Sequence, residues 1–186
     1  MARSHRPGLR EKIFFLASGV IVSVPMALFF EGLTSGFSFL PSFEADVLTI
    51  AVLAPLIEEF AKAYPLFFRH GESQKSLFTM GLLVGFGFGI VEFFEYVTIL
   101  GVSPWVRLPG IFLHAALTST VAYGIATKRS ALFYLLAVFF HASANFLSIL
   151  GGPILLYSLI YSLLLGTALA LPFILYLKSS DRVIDY

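Results

Sequence analysis

Apolar residues run nearly unbroken in stretches of about 20, the length that carries an α-helix across the hydrocarbon of a bilayer. These stretches predict six membrane-spanning helices, over 13–31, 46–68, 76–100, 105–127, 130–150 and 153–177. Ionisable residues well inside them, away from the span ends, are few: Glu58, Glu59 and Lys62 in the second, Glu92 and Glu95 in the third, His114 in the fourth and His141 in the fifth. An ionisable group in hydrocarbon costs several kcal/mol, so each of these marks a candidate functional position.

Helical spacing orders them. Lys62 follows Glu59 by three positions and Glu58 by four, and either spacing lets the ammonium reach a carboxylate on the same face. Gly81, Gly85 and Gly89 repeat every four residues as a small-residue ridge suited to close helix packing. Glu92 continues that face, while Glu95 lies toward its flank, nearer water. His114 shares a face with Thr118, and His141 with Asn145. Counted from the outer helix ends at 1.5 Å per residue, Glu92 falls roughly 12 Å deep, His114 and His141 about 13–14 Å, and Glu58 with Glu59 about 18–20 Å. Four helices thus bring ionisable side chains to one layer near the midplane, in the core of the bundle.

Composition identifies the solvent. The 186 residues are 58% hydrophobic, 16% aromatic and 12% charged, with a mean hydropathy of +0.90, which describes an outer surface facing lipid. The expected architecture is all-α, a single polytopic transmembrane domain over 1–186. The basic start from Met1 to Lys12 precedes a full-length apolar run without a small-residue cleavage signature, so the first helix is read as retained. Of the twelve Lys and Arg, Arg3, Arg6, Arg10, Lys12, Arg69, Lys75, Lys128, Arg129, Lys178 and Arg182 lie on the side bearing the termini. Arg107 alone lies opposite, and Lys62 is inside a span. The positive-inside rule therefore puts both termini in the cytoplasm of a multi-pass cell-membrane protein. Gly32 to Ala45, free of Lys and Arg and carrying Phe37, Phe39, Leu40 and Phe43, is read as an interfacial or re-entrant loop. The bilayer is the expected partner, and nucleic acid is not.

Absent residues narrow the chemistry. Without cysteine there is no disulfide, thiolate metal site or cysteine nucleophile. A Gly-x-Ser at Gly101 to Ser103 sits in an outer loop before Pro104, a weak setting for a serine nucleophile. Asp46 begins a helix and Asp181 and Asp185 lie in the tail, so the paired membrane aspartates of an aspartyl protease are missing. No His-Glu-x-x-His run of zincin type occurs. Glutamate and histidine are left, and they suffice for hydrolysis: a carboxylate can take a proton from water, and imidazoles can stabilise the oxyanion or protonate the leaving group.

Glu58-Glu59-x-x-Lys62, the glycine-rich third helix leading to Glu92, the lone His114 and His141-x-x-x-Asn145 together resemble the PrsW family of intramembrane proteases. That family is grouped with the CAAX prenyl endopeptidases and bacteriocin-processing enzymes, which share a double glutamate, a lone histidine and a histidine followed four on by Asn or Asp. The CAAX-type branch carries an arginine four after the second glutamate; Ala63 stands there, and Lys62 follows the PrsW spacing. The resemblance implies a glutamic-type intramembrane protease, with membrane-bound anti-sigma factors as the associated substrates.

The expected activity is hydrolysis of a peptide bond in a membrane or lipid-anchored protein. Glu58 is expected to be the general base with Glu59 second, since adjacent helical residues point about 100° apart and only one faces a given water. Lys62 holds the other carboxylate, His114 and His141 bind water and oxyanion, Asn145 extends that hole, and Glu92 orients a histidine. No cofactor is expected. The alternative within the enzyme class is a catalytic Zn²⁺ held by Glu58, Glu59, Glu92, His114 and His141. Outside it stand a Glu/His proton relay or transporter, against which the lack of an internal repeat argues, and a scaffold that binds transmembrane segments.

Overall fold

The computed structural model describes residues 6–37, 39–68, 72–151 and 153–184; Arg3, Arg69, Asp185 and residue 38 of the first joint fall outside them. Helical rods follow one another as α1 (Leu9–Gly32), α2 (42–63), α3 (Gln74–Thr98), α4 (Pro104–Ala126), α5 (Ser130–Leu150) and α6 (Ile154–Lys178). Among the described residues the protein is all-α, its extended pairing limited to one antiparallel bridge between Ser73 and Val183. Five rods, α1 and α3 to α6, are long and apolar enough to cross a membrane, which makes this a multi-pass membrane protein. The second rod falls short of that measure because Glu44, Asp46, Glu58, Glu59 and Lys62 dilute its apolar length.

The first joint is shorter than expected. A 3₁₀ turn, Leu33–Phe37, continues α1, and α2 already starts at Ser42 behind an extended Pro41. At its other end α2 stops at Ala63 and tightens into the 3₁₀ turn Tyr64–Phe68. Pro65 accounts for this, since it cannot donate to the carbonyl of Ala61.

Two rods contain a wide π turn, Gly19–Ser23 in α1 and Val47–Leu53 in α2, where the N–H groups of Val24 and Ala54 reach five residues back to Gly19 and Thr49. Each wide turn is followed two residues later by a proline, Pro25 or Pro55. A proline ring collides with the carbonyl four residues before it, and widening the turn relieves that collision.

The central helix is α4, whose apolar window is 72% buried against 17% for α5 and α6. Its backbone is approached closely by α3 through the glycine ridge. A Cβ on Gly81 would lie 2.6 Å from that of Ala122, one on Gly89 2.9 Å from Cα of Ile111, and one on Gly85 would run into the carbonyl of His114. A second close approach uses the opposite face of α3, where Gly87 meets the Leu16 carbonyl and Gly19 meets that of Val84. Phe15, Leu77, Met80, Val84, Leu117 and Val121 fill the space between these three helices. The ridge therefore sets the spacing of α3 and α4 at the turn from which Glu92 and His114 project.

Candidate active site

Four rods supply the ionisable residues, α2 giving Glu58, Glu59 and Lys62, α3 Glu92, α4 His114 and α5 His141, and the contacts between them form one connected network. Lys62 is wholly enclosed; its Nζ lies 2.7 Å from Glu59 Oε1, 2.7 Å from His114 Nδ1 and 3.6 Å from Glu58 Oε2. The ammonium also sits 4.7 Å from the ring centre of Phe88, a cation–π contact that helps replace lost hydration. Glu59 Oε1 is bonded on its other side to Nδ1 of His141 at 2.9 Å. Across the network Glu92 Oε2 takes a short contact from Nε2 of His114, while its Oε1 pairs with Arg107 at 2.6 Å. The two imidazoles stand edge to face, 5.1 Å between centres.

Glu58 is the member left over. Its Oε2 is buried, has no hydrogen-bond partner, and lies 3.9 Å from both His114 Nδ1 and His141 Nε2. A cavity of about 250 Å³ reaches it, lined also by Glu31, Glu92, Glu95 and Asn145. The carboxylate of Glu59 is outside that lining and fully enclosed. The 100° offset between neighbouring helical residues thus separates the two glutamates into one facing the cavity and one facing the α5 histidine.

Ring protons follow from the partners. A carboxylate on Nδ1 of His141 and another on Nε2 of His114 each attract the N–H, so Nε2 of His141 and Nδ1 of His114 present lone pairs toward Glu58 in the neutral rings. Lys62 donates to the latter.

Asn145 lines the cavity, but its amide donates to the backbone carbonyl of Ile50 at 2.9 Å rather than to a site side chain. That carbonyl lies in the wide turn of α2. The N–H of Ala54 goes to Thr49, and the residue five beyond Ile50 is Pro55, which has no N–H. Tyr134 adds a second tie between the same rods by donating to the Leu56 carbonyl at 2.7 Å.

The network brings together Glu58, Glu59, Lys62, Glu92, His114 and His141, with Asn145 beside it. Arg107 joins through Glu92 and lies 3.6 Å over the ring of Tyr96; its signal in the sequence is its isolation from the other Lys and Arg, at the ends of the rods away from the termini. Glu31 reaches the cavity from the last turn of α1 and bears no motif. Glu95 is exposed at the mouth.

A polytopic helical protein with a buried carboxylate–imidazole centre has the makings of an intramembrane hydrolase. The chain belongs to the PrsW family, whose model, described as PrsW family intramembrane metalloprotease, matches residues 9–177, and its class is accordingly that of an intramembrane protease. It matches no protein of curated function and no solved structure.

Proposed function

We propose that the protein is an endopeptidase that adds water to a peptide bond of a membrane or lipid-anchored protein at the point shared by Glu58, His114 and His141. The carrying observation is the buried Oε2 of Glu58, which has no hydrogen bond and lies 3.9 Å from a nitrogen of each imidazole. A water held there has Glu58 as its base. As the water oxygen bonds to the carbonyl carbon, its proton passes to Glu58 and then to the leaving amine. Lys62 is the cation nearest the developing oxyanion, joined by His141 when protonated at both nitrogens, and Glu59 and Glu92 hold the two rings in place. In this proposal the second rod completes a single six-span domain, both termini are cytoplasmic, and the cavity opens toward the outer face.

A second reading is favoured by the direction of the lone pairs. Glu58 Oε2, His114 Nδ1 and His141 Nε2 form a group able to hold a metal ion, the two-histidine, one-glutamate donor set of a catalytic zinc site. Each imidazole is anchored by a carboxylate at its other nitrogen, the usual outer support of such ligands. These residues fit a divalent metal provided that Lys62 turns away from His114. Bound there, the metal would polarise the scissile carbonyl and acidify water.

Both readings require Glu58. Purified Glu58→Gln protein, folded by circular dichroism, is expected to lose at least about a hundredfold in cleavage of a membrane-protein substrate. Undiminished cleavage would remove Glu58 from the chemistry and with it this proposal.

A further inference from the structure

The cavity that leads to Glu58 lies between the last turns of α1 and α3 and the first turns of α2. Its lining holds four carboxylates, Glu31, Glu58, Glu92 and Glu95, and no Lys or Arg. Glu92 is paired with Arg107, and Glu58 lies 3.6 Å from Lys62. Among the described residues Glu31 and Glu95 have no cation, and Oε1 of Glu31 is buried without a hydrogen-bond partner. Glu58, only 7% exposed, turns an oxygen without a hydrogen bond into the same space. A carboxylate at this depth is costly unless a cation meets it. Lys62 is already shared among Glu58, Glu59 and His114, and Arg107 is paired with Glu92.

We infer that Glu31 and Glu95 form a specificity subsite that takes a lysine or arginine side chain of the substrate, a few residues to the outer side of the scissile bond. The inference rests on the endopeptidase reading. Val24 and Leu28 supply an apolar wall on which the methylene stem of such a side chain can lie while its charged end reaches the two carboxylates. Thr34, Thr49 and Tyr96 line the same space with neutral polar groups. Since Lys and Arg are scarce just outside the outer ends of membrane spans, a subsite that asks for one discriminates sharply among membrane proteins.

The test uses the full-length protein in lipid nanodiscs and a panel of synthetic single-span peptides. The peptides differ only in carrying Lys, Gln or Glu at successive positions on the outer flank of the span. Binding is measured by competition on Glu58→Gln protein, where no turnover intervenes, and cleavage on the wild type. At one position the Lys peptide is expected to bind about tenfold more tightly than the Gln peptide, with the Glu peptide weakest. Adding Glu31→Gln and Glu95→Gln should bring the Lys-to-Gln ratio close to one, and Glu95→Lys, at an exposed position, should reverse the order. Equal binding of Lys and Gln peptides, a ratio that survives the double substitution, or a uniform loss with the ratio unchanged would each overturn the subsite. Selective binding without cleavage by the wild type would leave the subsite standing and overturn the endopeptidase reading.

Discussion

Asn145 donates its side-chain amide, at 2.9 Å, to the carbonyl of Ile50, which Pro55 leaves without a backbone donor. The bond ties α5, which carries His141, to α2, which carries Glu58. Asn145→Ala should therefore cost about 1 kcal/mol of stability and lower activity by shifting the two rods. In a Pro55→Ala background the restored N–H can serve the same carbonyl, so Asn145→Ala should cost less there. A thermal-unfolding double-mutant cycle checks this, with a coupling of at least about 0.5 kcal/mol expected.

The two adjacent glutamates should separate by phenotype. Glu59 is fully enclosed between Lys62 and His141. Glu59→Gln takes the nearer carboxylate from a buried ammonium, leaving only Glu58 at 3.6 Å, and should destabilise the fold by about 3 kcal/mol. Glu58→Gln should leave the melting temperature nearly unchanged while abolishing cleavage. Thermal unfolding of both variants in detergent, read beside their activities, decides it, and the opposite ranking would exchange their roles.

Chelation separates the two readings of the centre. If Glu58 and the imidazoles hold water unaided, activity persists after exhaustive treatment with strong chelators and metal analysis of active protein finds none. Activity lost to chelators and restored by Zn²⁺ would assign Glu58, His114 and His141 as ligands, and His141→Ala should then abolish zinc binding as well as cleavage.

A methyl group at the glycine ridge should act at a distance from the chemistry. In Gly85→Ala the new Cβ meets the His114 carbonyl, with Thr118 Oγ1 at 2.7 Å and Ala115 Cα at 2.8 Å, all parts of the central helix. Overpacking of this kind costs typically about 1–3 kcal/mol, and pushing α4 away also moves His114. Gly166→Ala, whose Cβ has nothing within 4 Å, is the matched control and should be neutral or slightly stabilising. Unfolding midpoints and activity of both variants test the point.

Orientation is open to a direct measurement because the chain has no cysteine. Single cysteines at Gly36 or Ser103 should react with an impermeant reagent in intact cells, and one at Arg129 only after the membrane is opened. Protection at residue 36 would break the six-span proposal.

Much of this arrangement was legible because helical periodicity converts spacing into direction. The 81–85–89 ridge, the continuation to Glu92 and the reach of Lys62 to both glutamates all follow from 3.6 residues per turn. Partner choice between helices was not legible. Nothing in the chain order says that Arg107 bonds Glu92, or that Glu59 rather than Glu58 takes His141, because such contacts depend on how rods rotate against each other. Gly87 lies off the face that the ridge defines, so spacing does not reveal its contact with α1, and Glu31, a lone acid at the end of a span, has the pattern of any interfacial residue. The second rod is legible as a span from its apolar run although its charges dilute it: Lys62 meets Glu58 and Glu59 on the same helix, and only the further contacts to His114 and His141 had to come from other helices. Pro25 and Pro55 did carry a signal for the wide turns, legible to anyone asking where each proline's missing bond is absorbed.

The wide turn at Val47–Leu53 also makes the length of α2 negotiable at one place and rigid elsewhere. Such a turn stores about one residue more than an α-turn, so deleting a residue within 47–53 could reel in the slack while Glu58 keeps its bearing on both histidines. The same deletion between Glu59 and Lys62 would swing the ammonium about 100° around the rod and out of the network. Single-residue length changes should thus be survivable on the approach to the glutamate pair and ruinous just past it.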